Sequence, residues 1–189
     1  MKEISKSIFR EYDIRGIYPD QIDENSISLI AKAIAIKCEQ ENVQEICIGR
    51  DGRLSGESLL NALEKSLSEY GINVKNTGLV TTPLLYFAAK KNKYKSGVMI
   101  TGSHNPKNYN GIKLIINDKP VSGNEIYKLI VKNINKSEIP GKIEHIDIKS
   151  KYIEEVKNSI QFDDDVQIKV VIDCGNGAAG CIAPKLFKE

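Results

Sequence analysis

The sequence predicts an α/β protein with a three-layer α/β/α architecture around a mostly parallel, mixed sheet. Two observations carry this prediction. Short apolar segments of strand length alternate with amphipathic segments of helix length along most of the chain. Helices of about 10–16 residues between short strands are typical of crossover connections, which place parallel strands side by side and cover both faces of a sheet.

The first predicted elements follow this alternation. Residues 25–41 carry apolar side chains at helical spacing, and residues 45–49 (EICIG) predict a short buried strand. Ser55 is predicted to cap the next helix, whose buried face is a leucine stripe formed by Leu59, Leu60, Leu63 and Leu67. A strand over 72–77 comes next, and a proline then starts a helix over 83–91.

A polar loop separates two further predicted strands. Residues 97–101 (GVMIT) and 112–116 (IKLII) are short and apolar, and the residues between them are rich in Gly and Asn. Beyond the second strand, Ser122 and Glu125 have the spacing of a capping box. This pair predicts the N-terminus of another helix.

Residues 136–148 (KSEIPGKIEHIDI) form a polar connector that interrupts the pattern. We therefore predict one domain over 1–148 and the incomplete start of a second, similar domain over 149–189. The second part contains a predicted helix at 150–159 and a predicted strand at 166–173. Because so few residues cannot cover their own apolar faces, we expect either a truncated chain or one that needs a partner.

Composition excludes several classes of function. The net charge is +2 and the lysines are scattered, so nucleic acid is not expected as a main partner. No apolar run approaches the roughly 20 residues that span a bilayer, so no membrane partner is expected either. The four cysteines show no C-x-x-C spacing, which favours free thiols in a reducing cytoplasm over disulfides or zinc ligands.

The loop over 101–113 (TGSHNPKNYNGIK) is the most informative segment of the chain. It follows the carboxyl end of a predicted strand, where open α/β sheets place their active sites. Gly102 and Gly111 permit backbone geometry that other residues resist, and we expect Ser103 at the apex. The alternative is an ordinary polar turn, but a loop of this length and composition that returns to a strand at Lys113 is hard to explain in that way.

Five ordered segments resemble the α-D-phosphohexomutase family, which includes phosphomannomutase, phosphoglucomutase and phosphoglucosamine mutase. The loop matches the family's active-serine motif, T-G-S-H-N-P-x-x-x-N-G-I-K. The other four matching segments are FREYDIRG (9–16), GRDGR (49–53) followed by Ser55, GLVTTP (78–83) and IDCGNGAAG (172–180). The resemblance covers almost the whole chain and implies the fold of the family's first domain.

The resemblance also implies an activity. Members move a phosphate reversibly between C1 and C6 of a hexose through a phosphoserine and a hexose 1,6-bisphosphate. Carried onto this sequence, Ser103 is the phosphoryl carrier and, through a phosphate oxygen, a ligand of Mg²⁺. Arg15 and Lys113 would assist proton transfer, with His104 also in the catalytic group. Tyr12 and Asn105 would line the substrate site.

Substrates and partners follow from the same resemblance. We expect mannose or glucose 1- and 6-phosphates and their 1,6-bisphosphates as substrates. The family's Asp-rich metal loop, sugar-contacting loop and remote phosphate-binding loop have no counterpart in this sequence. The remainder of the mutase chain is therefore an expected partner, and we expect these residues alone to lack useful mutase activity.

Several of these residues also have a purely structural interpretation. Arg15 has a structural alternative, as a hydrogen-bonding residue after a tight turn, and His104 has one in shaping the loop. A second set, Arg50, Asp51 and Arg53, is expected to form a salt-linked scaffold beneath the loop rather than to touch substrate.

Two other classes of site are less well supported. Residues 175–180 fit G-x-G-x-x-G, but the dinucleotide fingerprint also needs an acidic residue about 20 positions later, which this sequence does not supply. A serine hydrolase is disfavoured because Ser103 and His104 are adjacent and no G-x-S-x-G is present. For the whole chain, the alternative to a mutase fragment is a stand-alone, non-catalytic domain that binds a phosphosugar or a partner chain.

Overall fold

The computed structural model describes residues 4–160 and 169–188, and its centre is a seven-stranded mixed sheet. The strands are β1 (Ile14–Ile17), β2 (Glu45–Arg50), β3 (Asn73–Leu79), β4 (Gly97–Ile100), β5 (Tyr109–Ile116), β6 (Lys119–Pro120) and β7 (Ile143–His145). The helices are α1 (Glu24–Gln40), α2 (Gly56–Glu69), α3 (Thr82–Lys91), α4 (Gly123–Ile130), α5 (Lys149–Ser159) and α6 (Ala183–Lys188), with short 3-10 turns at Lys6–Ile8 and Ala178–Cys181.

The sheet has the order β1-β5-β4-β2-β3-β7, with β6 paired to β5. Strands β4, β2, β3 and β7 run parallel to one another, as crossover helices require. Strand β5 runs antiparallel to its three neighbours, β1, β4 and β6. The predicted α/β fold with a mixed sheet is confirmed, and the antiparallel half is the half that carries the serine loop.

Helices cover both faces of the sheet. On one face α1 packs against α2 and α4, and on the other α3 packs against β2 and β4. Successive side chains of a strand point to opposite faces of the sheet, so one strand contributes to both cores. In β2, Ile46 and Ile48 belong to the first core, whereas Cys47 between them belongs to the second. This alternation is the physical basis of the three layers.

One of the two predicted helix N-caps is confirmed and the other is not. The capping box of Ser122 and Glu125 is present at α4. Ser55 stands at the N-cap of α2, but its side chain makes no capping hydrogen bond, so that part of the prediction is wrong. The physical reason lies across the fold, where the Ser55 hydroxyl accepts a hydrogen bond from Nδ2 of Asn110 at 2.9 Å.

The region beyond the connector is only partly as predicted. Helix α5 lies where a helix was expected. The predicted strand over 166–173 falls partly outside the described residues, as does the acidic segment at 163–165, while residues 169–173 form no strand. In the described part of the chain no strand pairs with them, and Val171 is exposed.

The cysteines are free thiols, as the sequence predicts. All four cysteines are free, and Cys38 and Cys47 are buried. Burial raises the pKa of the Cys38 thiol to about 12 and that of Cys47 to about 11, so both stay neutral thiols.

Within residues 4–160 and 169–188, no helix combines the length and apolar character needed to cross a membrane.

Candidate active site

The serine loop, residues 101–108, joins β4 to β5 at the carboxyl end of β4. Ser103 is exposed and has φ of +53°, in the left-handed region that L-residues seldom occupy. Its backbone N–H donates to Oγ1 of Thr101 at 2.9 Å, and its carbonyl oxygen accepts from Nη2 of Arg53 at 3.0 Å. The loop therefore presents the Ser103 side chain outward from a fixed backbone.

Strand β1 brings a second set of side chains to the same edge. In the antiparallel pair of β1 and β5, Arg15 is the register partner of Gly111. A Cβ at position 111 would lie 2.1 Å from the carbonyl oxygen of Ile14, so only glycine allows this close approach. The short strand therefore places Arg15 beside the serine loop.

A buried carboxylate holds the two predicted cations. Asp13 is 7% exposed, and its Oδ2 lies 2.6 Å from Nη2 of Arg15 and 3.8 Å from Nζ of Lys113. Arg15 also donates from Nη1 to Oδ1 of Asn105 at 3.2 Å. One carboxylate between two cations leaves a local excess of positive charge, which suits a site for phosphoryl oxygens.

Sequence reasoning missed Asp13. The available signal was its position in the FREYDIRG segment, two residues before Arg15. A buried carboxylate needs charged partners, and the approach of Asp13 to Lys113 becomes clear only when β1 is placed against β5.

The remaining predicted site residues lie around Ser103. His104 is exposed, and its Nδ1 is 3.4 Å from Oγ of Ser103, a long contact for a hydrogen bond. Asn105 donates from Nδ2 to the carbonyl oxygen of Gly102 at 2.7 Å. Tyr12 is 81% exposed, so the described residues leave its ring accessible. The structure thus joins Arg15 and Lys113 through Asp13 and Asn105 directly to Arg15, and it leaves His104 and Tyr12 at the surface.

Two of the three residues of the predicted scaffold, Asp51 and Arg53, support the loop, and the prediction is wrong for Arg50, whose ion pair is with Glu57. Asp51 accepts from the Thr101 hydroxyl at 2.7 Å and from Nε of Arg53 at 3.3 Å. The Arg53 guanidinium reaches the backbone of the serine loop. Arg50 stands apart, donating to the backbone oxygen of Asp51 and to Glu57.

A cleft of about 1190 Å³ opens beside the serine loop. Ser103, Asn105 and Lys107 line it from the loop, and residues 51–55 and 176–179 line it from other sides. Arg15 and Lys113 do not line the cleft, but Arg15 donates a hydrogen bond to Asn105, which does. Asn105 therefore links the cleft that Ser103 lines to the cluster of Asp13, Arg15 and Lys113.

The described residues do not form a metal site of their own. Within these ranges no group of three or more His, Cys, Asp or Glu side chains is placed to hold an ion. Mg²⁺ needs several oxygen ligands in near-octahedral geometry, and a phosphate oxygen on Ser103 would be one of them.

Comparisons with known proteins agree with the fold and cover the loop. A family model described as "Phosphoglucomutase/phosphomannomutase, alpha/beta/alpha domain I" matches residues 6–139. A phosphomannomutase/phosphoglucomutase of Pseudomonas syringae pv. tomato is 41% identical over 184 residues, which are 96% of this chain and 39% of that protein. A phosphoglucomutase of Neisseria meningitidis serogroup B is 40% identical over 193 residues, which are 100% of this chain and 41% of that protein.

A solved structure gives the same result. A phosphoglucomutase/phosphomannomutase family protein of Burkholderia thailandensis matches with a TM-score of 0.91 and 34% sequence identity. The match covers 98% of this chain and 42% of that one. The chain therefore spans about two fifths of the length of the relatives it matches.

Proposed function

The chain belongs to the phosphoglucomutase/phosphomannomutase family, and from that premise we propose that it is the phosphoserine-bearing part of a phosphosugar mutase. Its substrates are hexose 1- and 6-phosphates, of mannose or glucose, and their 1,6-bisphosphates. The observation that carries the proposal is the position of Ser103, exposed on a fixed loop at the cleft, in the same loop as Asn105, which bonds the Arg15 cation.

The proposed reaction has two transfers at Ser103. A free hydroxyl of the sugar monophosphate attacks the phosphorus on Ser103 and gives its proton to a base, while the bond from phosphorus to Oγ breaks and Oγ takes up a proton. The bisphosphate turns over in the site. Oγ of Ser103 then loses its proton to a base and attacks the other phosphoryl group, whose bond to the sugar oxygen breaks, and that oxygen regains a proton.

The surrounding side chains suit such transfers. Phosphoryl transfer depends mainly on positioning and charge neutralisation, and phosphoserine carries about −1.5 to −2 charges at neutral pH. Arg15 offers a planar fork to phosphoryl oxygens, and Lys113 offers a compact charge that can also hold or release a proton. His104, Asn105 and Tyr12 complete the proposed set, the last two as substrate contacts.

We assign residues 1–148 to the first domain of the mutase and residues 149–189 to the start of a second domain. The family resemblance makes Mg²⁺ the expected cofactor, bound in part by the Ser103 phosphate. The remainder of the mutase chain would supply the other metal ligands, the sugar-contacting loop and a remote phosphate site. Cytoplasmic location stays a prediction.

The test compares the native protein with this chain alone. We expect the protein purified from its source cells, followed through a tryptic peptide that covers Ser103, to have a mass above 21.0 kDa. It should interconvert hexose 1- and 6-phosphates with Mg²⁺ and a bisphosphate primer, whereas the isolated 189 residues should not. A native protein that binds phosphosugars without turnover would contradict the proposal and support a non-catalytic binding domain.

A further inference from the structure

Arg53 lines the cleft beside Ser103, and an arginine in that position is an obvious candidate for binding a substrate phosphate. Its hydrogen bonds argue otherwise. Nε donates to Asp51, Nη1 donates to the carbonyl oxygens of Pro106 and Tyr109, and Nη2 donates to those of Ser103 and Asn105, at distances of 3.3, 2.6, 2.8, 3.0 and 2.7 Å. A guanidinium has five N–H donors, so none is left for a substrate.

The serine loop is wrapped around this guanidinium. A Cβ at Gly102 would lie 2.3 Å from Cζ of Arg53, so any other residue at that position would displace either the loop or the arginine. The bonded carbonyls extend from Ser103 to Tyr109. Arg53 therefore substitutes for the regular backbone pairing that a loop of this kind lacks.

Thr101 completes the restraint on Ser103. Its Oγ1 accepts the Ser103 N–H at 2.9 Å and donates to Oδ2 of Asp51 at 2.7 Å. Asp51 also accepts the backbone N–H of Arg53 at 3.1 Å. Both backbone polar groups of Ser103 are thus held by side chains that meet at one carboxylate.

We propose that Arg53 and Thr101, joined by Asp51, are positioning residues that hold Ser103 in its left-handed conformation and so set the direction of Oγ for phosphoryl transfer. The inference rests on the proposed mutase function. It assigns these residues an effect on the rate of transfer at Ser103 and no contact with the sugar phosphate. Loss of one restraint frees the backbone to leave a conformation that L-residues disfavour.

The first test uses Thr101→Val and Thr101→Ser in the native protein. Valine keeps the shape of threonine and removes the hydroxyl, whereas serine keeps the hydroxyl. We expect Thr101→Val to lower kcat about 100-fold, the scale of a 1 Å misplacement, with KM unchanged. Thr101→Ser should retain most of kcat. Equal kcat values for the two variants would overturn the inference.

Arg53→Ala and Arg50→Ala form the second pair. Both remove a guanidinium from one segment, but the hydrogen bonds of Arg50 go to Asp51 and Glu57 rather than to the serine loop. We expect Arg53→Ala to lower kcat by a similar factor and Arg50→Ala to have the smaller effect. A raised KM with kcat unchanged in Arg53→Ala would show that Arg53 binds substrate, and would contradict its positioning role.

A spectroscopic measurement separates this inference from the mutase proposal. In the isotopically labelled 189-residue chain, the Ser103 amide should exchange slowly with solvent and should exchange faster in Thr101→Val than in Thr101→Ser. A native protein without mutase activity would remove the proposed function but leave this result standing. An unchanged Ser103 amide in Thr101→Val would refute the restraint even in an active mutase.

Discussion

Replacing Ser103 with alanine is expected to abolish mutase activity in the native protein, with kcat reduced by about 10⁴-fold or more. Loss of a covalent nucleophile acts on this scale because the phosphorylated intermediate can no longer form at Oγ. Thr101, the nearest hydroxyl by sequence, is buried and bonded to Asp51, so it does not replace the Ser103 hydroxyl at the tip of the loop. The measurement is turnover of a hexose 1-phosphate with Mg²⁺ and bisphosphate primer.

The control for this prediction is Ser150→Ala. Ser150 lies on α5 with its hydroxyl bonded to Asp147, away from the serine loop. We expect normal turnover in this variant. Activity of Ser103→Ala near that of Ser150→Ala would mean that the phosphoryl group passes directly between substrates or through another residue.

Replacing Arg15 with alanine is expected to lower kcat by about 10²–10⁴-fold, the range for a positioned proton-transfer or charge-stabilising group. Among the described residues, the same change leaves the buried Asp13 carboxylate with Lys113, at 3.8 Å, as its one charged partner. We expect an unfolding free energy lower by about 1–3 kcal/mol, the cost of an unsatisfied buried acceptor. Steady-state kinetics and urea denaturation measure the two effects.

A double variant separates catalysis from stability at this site. Asp13→Asn together with Arg15→Ala removes the buried charge that Arg15 had paired, so it should recover part of the lost unfolding free energy. It should not recover kcat, because the guanidinium that we assign to the transfer step is still missing. Recovery of both would show that Arg15 acts only by neutralising Asp13, which is its structural alternative.

The parts of the fold that follow from local periodicity could be predicted from the sequence. Helices α1, α2 and α3 and strands β2, β3 and β4 lie close to their predicted positions because each buries a regular face in one of the two cores. The capping box at Ser122 could be predicted for the same reason, since both of its hydrogen bonds are local.

Elements that depend on distant partners could not be predicted in the same way. Strand β7 lies inside the polar connector, with all three residues exposed, and it exists through backbone pairing with β3. Strand β1 has four residues and is defined by its pairing with β5. Ser55 was assigned to a local cap, whereas its hydroxyl is used by Asn110, far along the chain.

In the candidate site, too, the features set by local sequence could be predicted and those set by distant partners could not. The loop composition predicts Ser103 at an apex, and the expected scaffold of Arg50, Asp51 and Arg53 holds for the last two residues. The Asp13 link between Arg15 and Lys113 needed the register of β1 against β5, which no local pattern encodes. The use of all five N–H donors of the Arg53 guanidinium likewise depends on the path of the whole loop.

The most direct test of the central claim is the phosphorylation state of Ser103 in the native protein. Trypsin releases the peptide Ser96–Lys107, which contains this residue. We predict that tandem mass spectrometry finds one phosphoryl group on Ser103, and that incubation with excess hexose monophosphate removes it while the bisphosphate restores it. A peptide that stays unmodified after incubation with the bisphosphate, in a protein that turns over hexose phosphates, would contradict the assignment of Ser103 as the phosphoryl carrier.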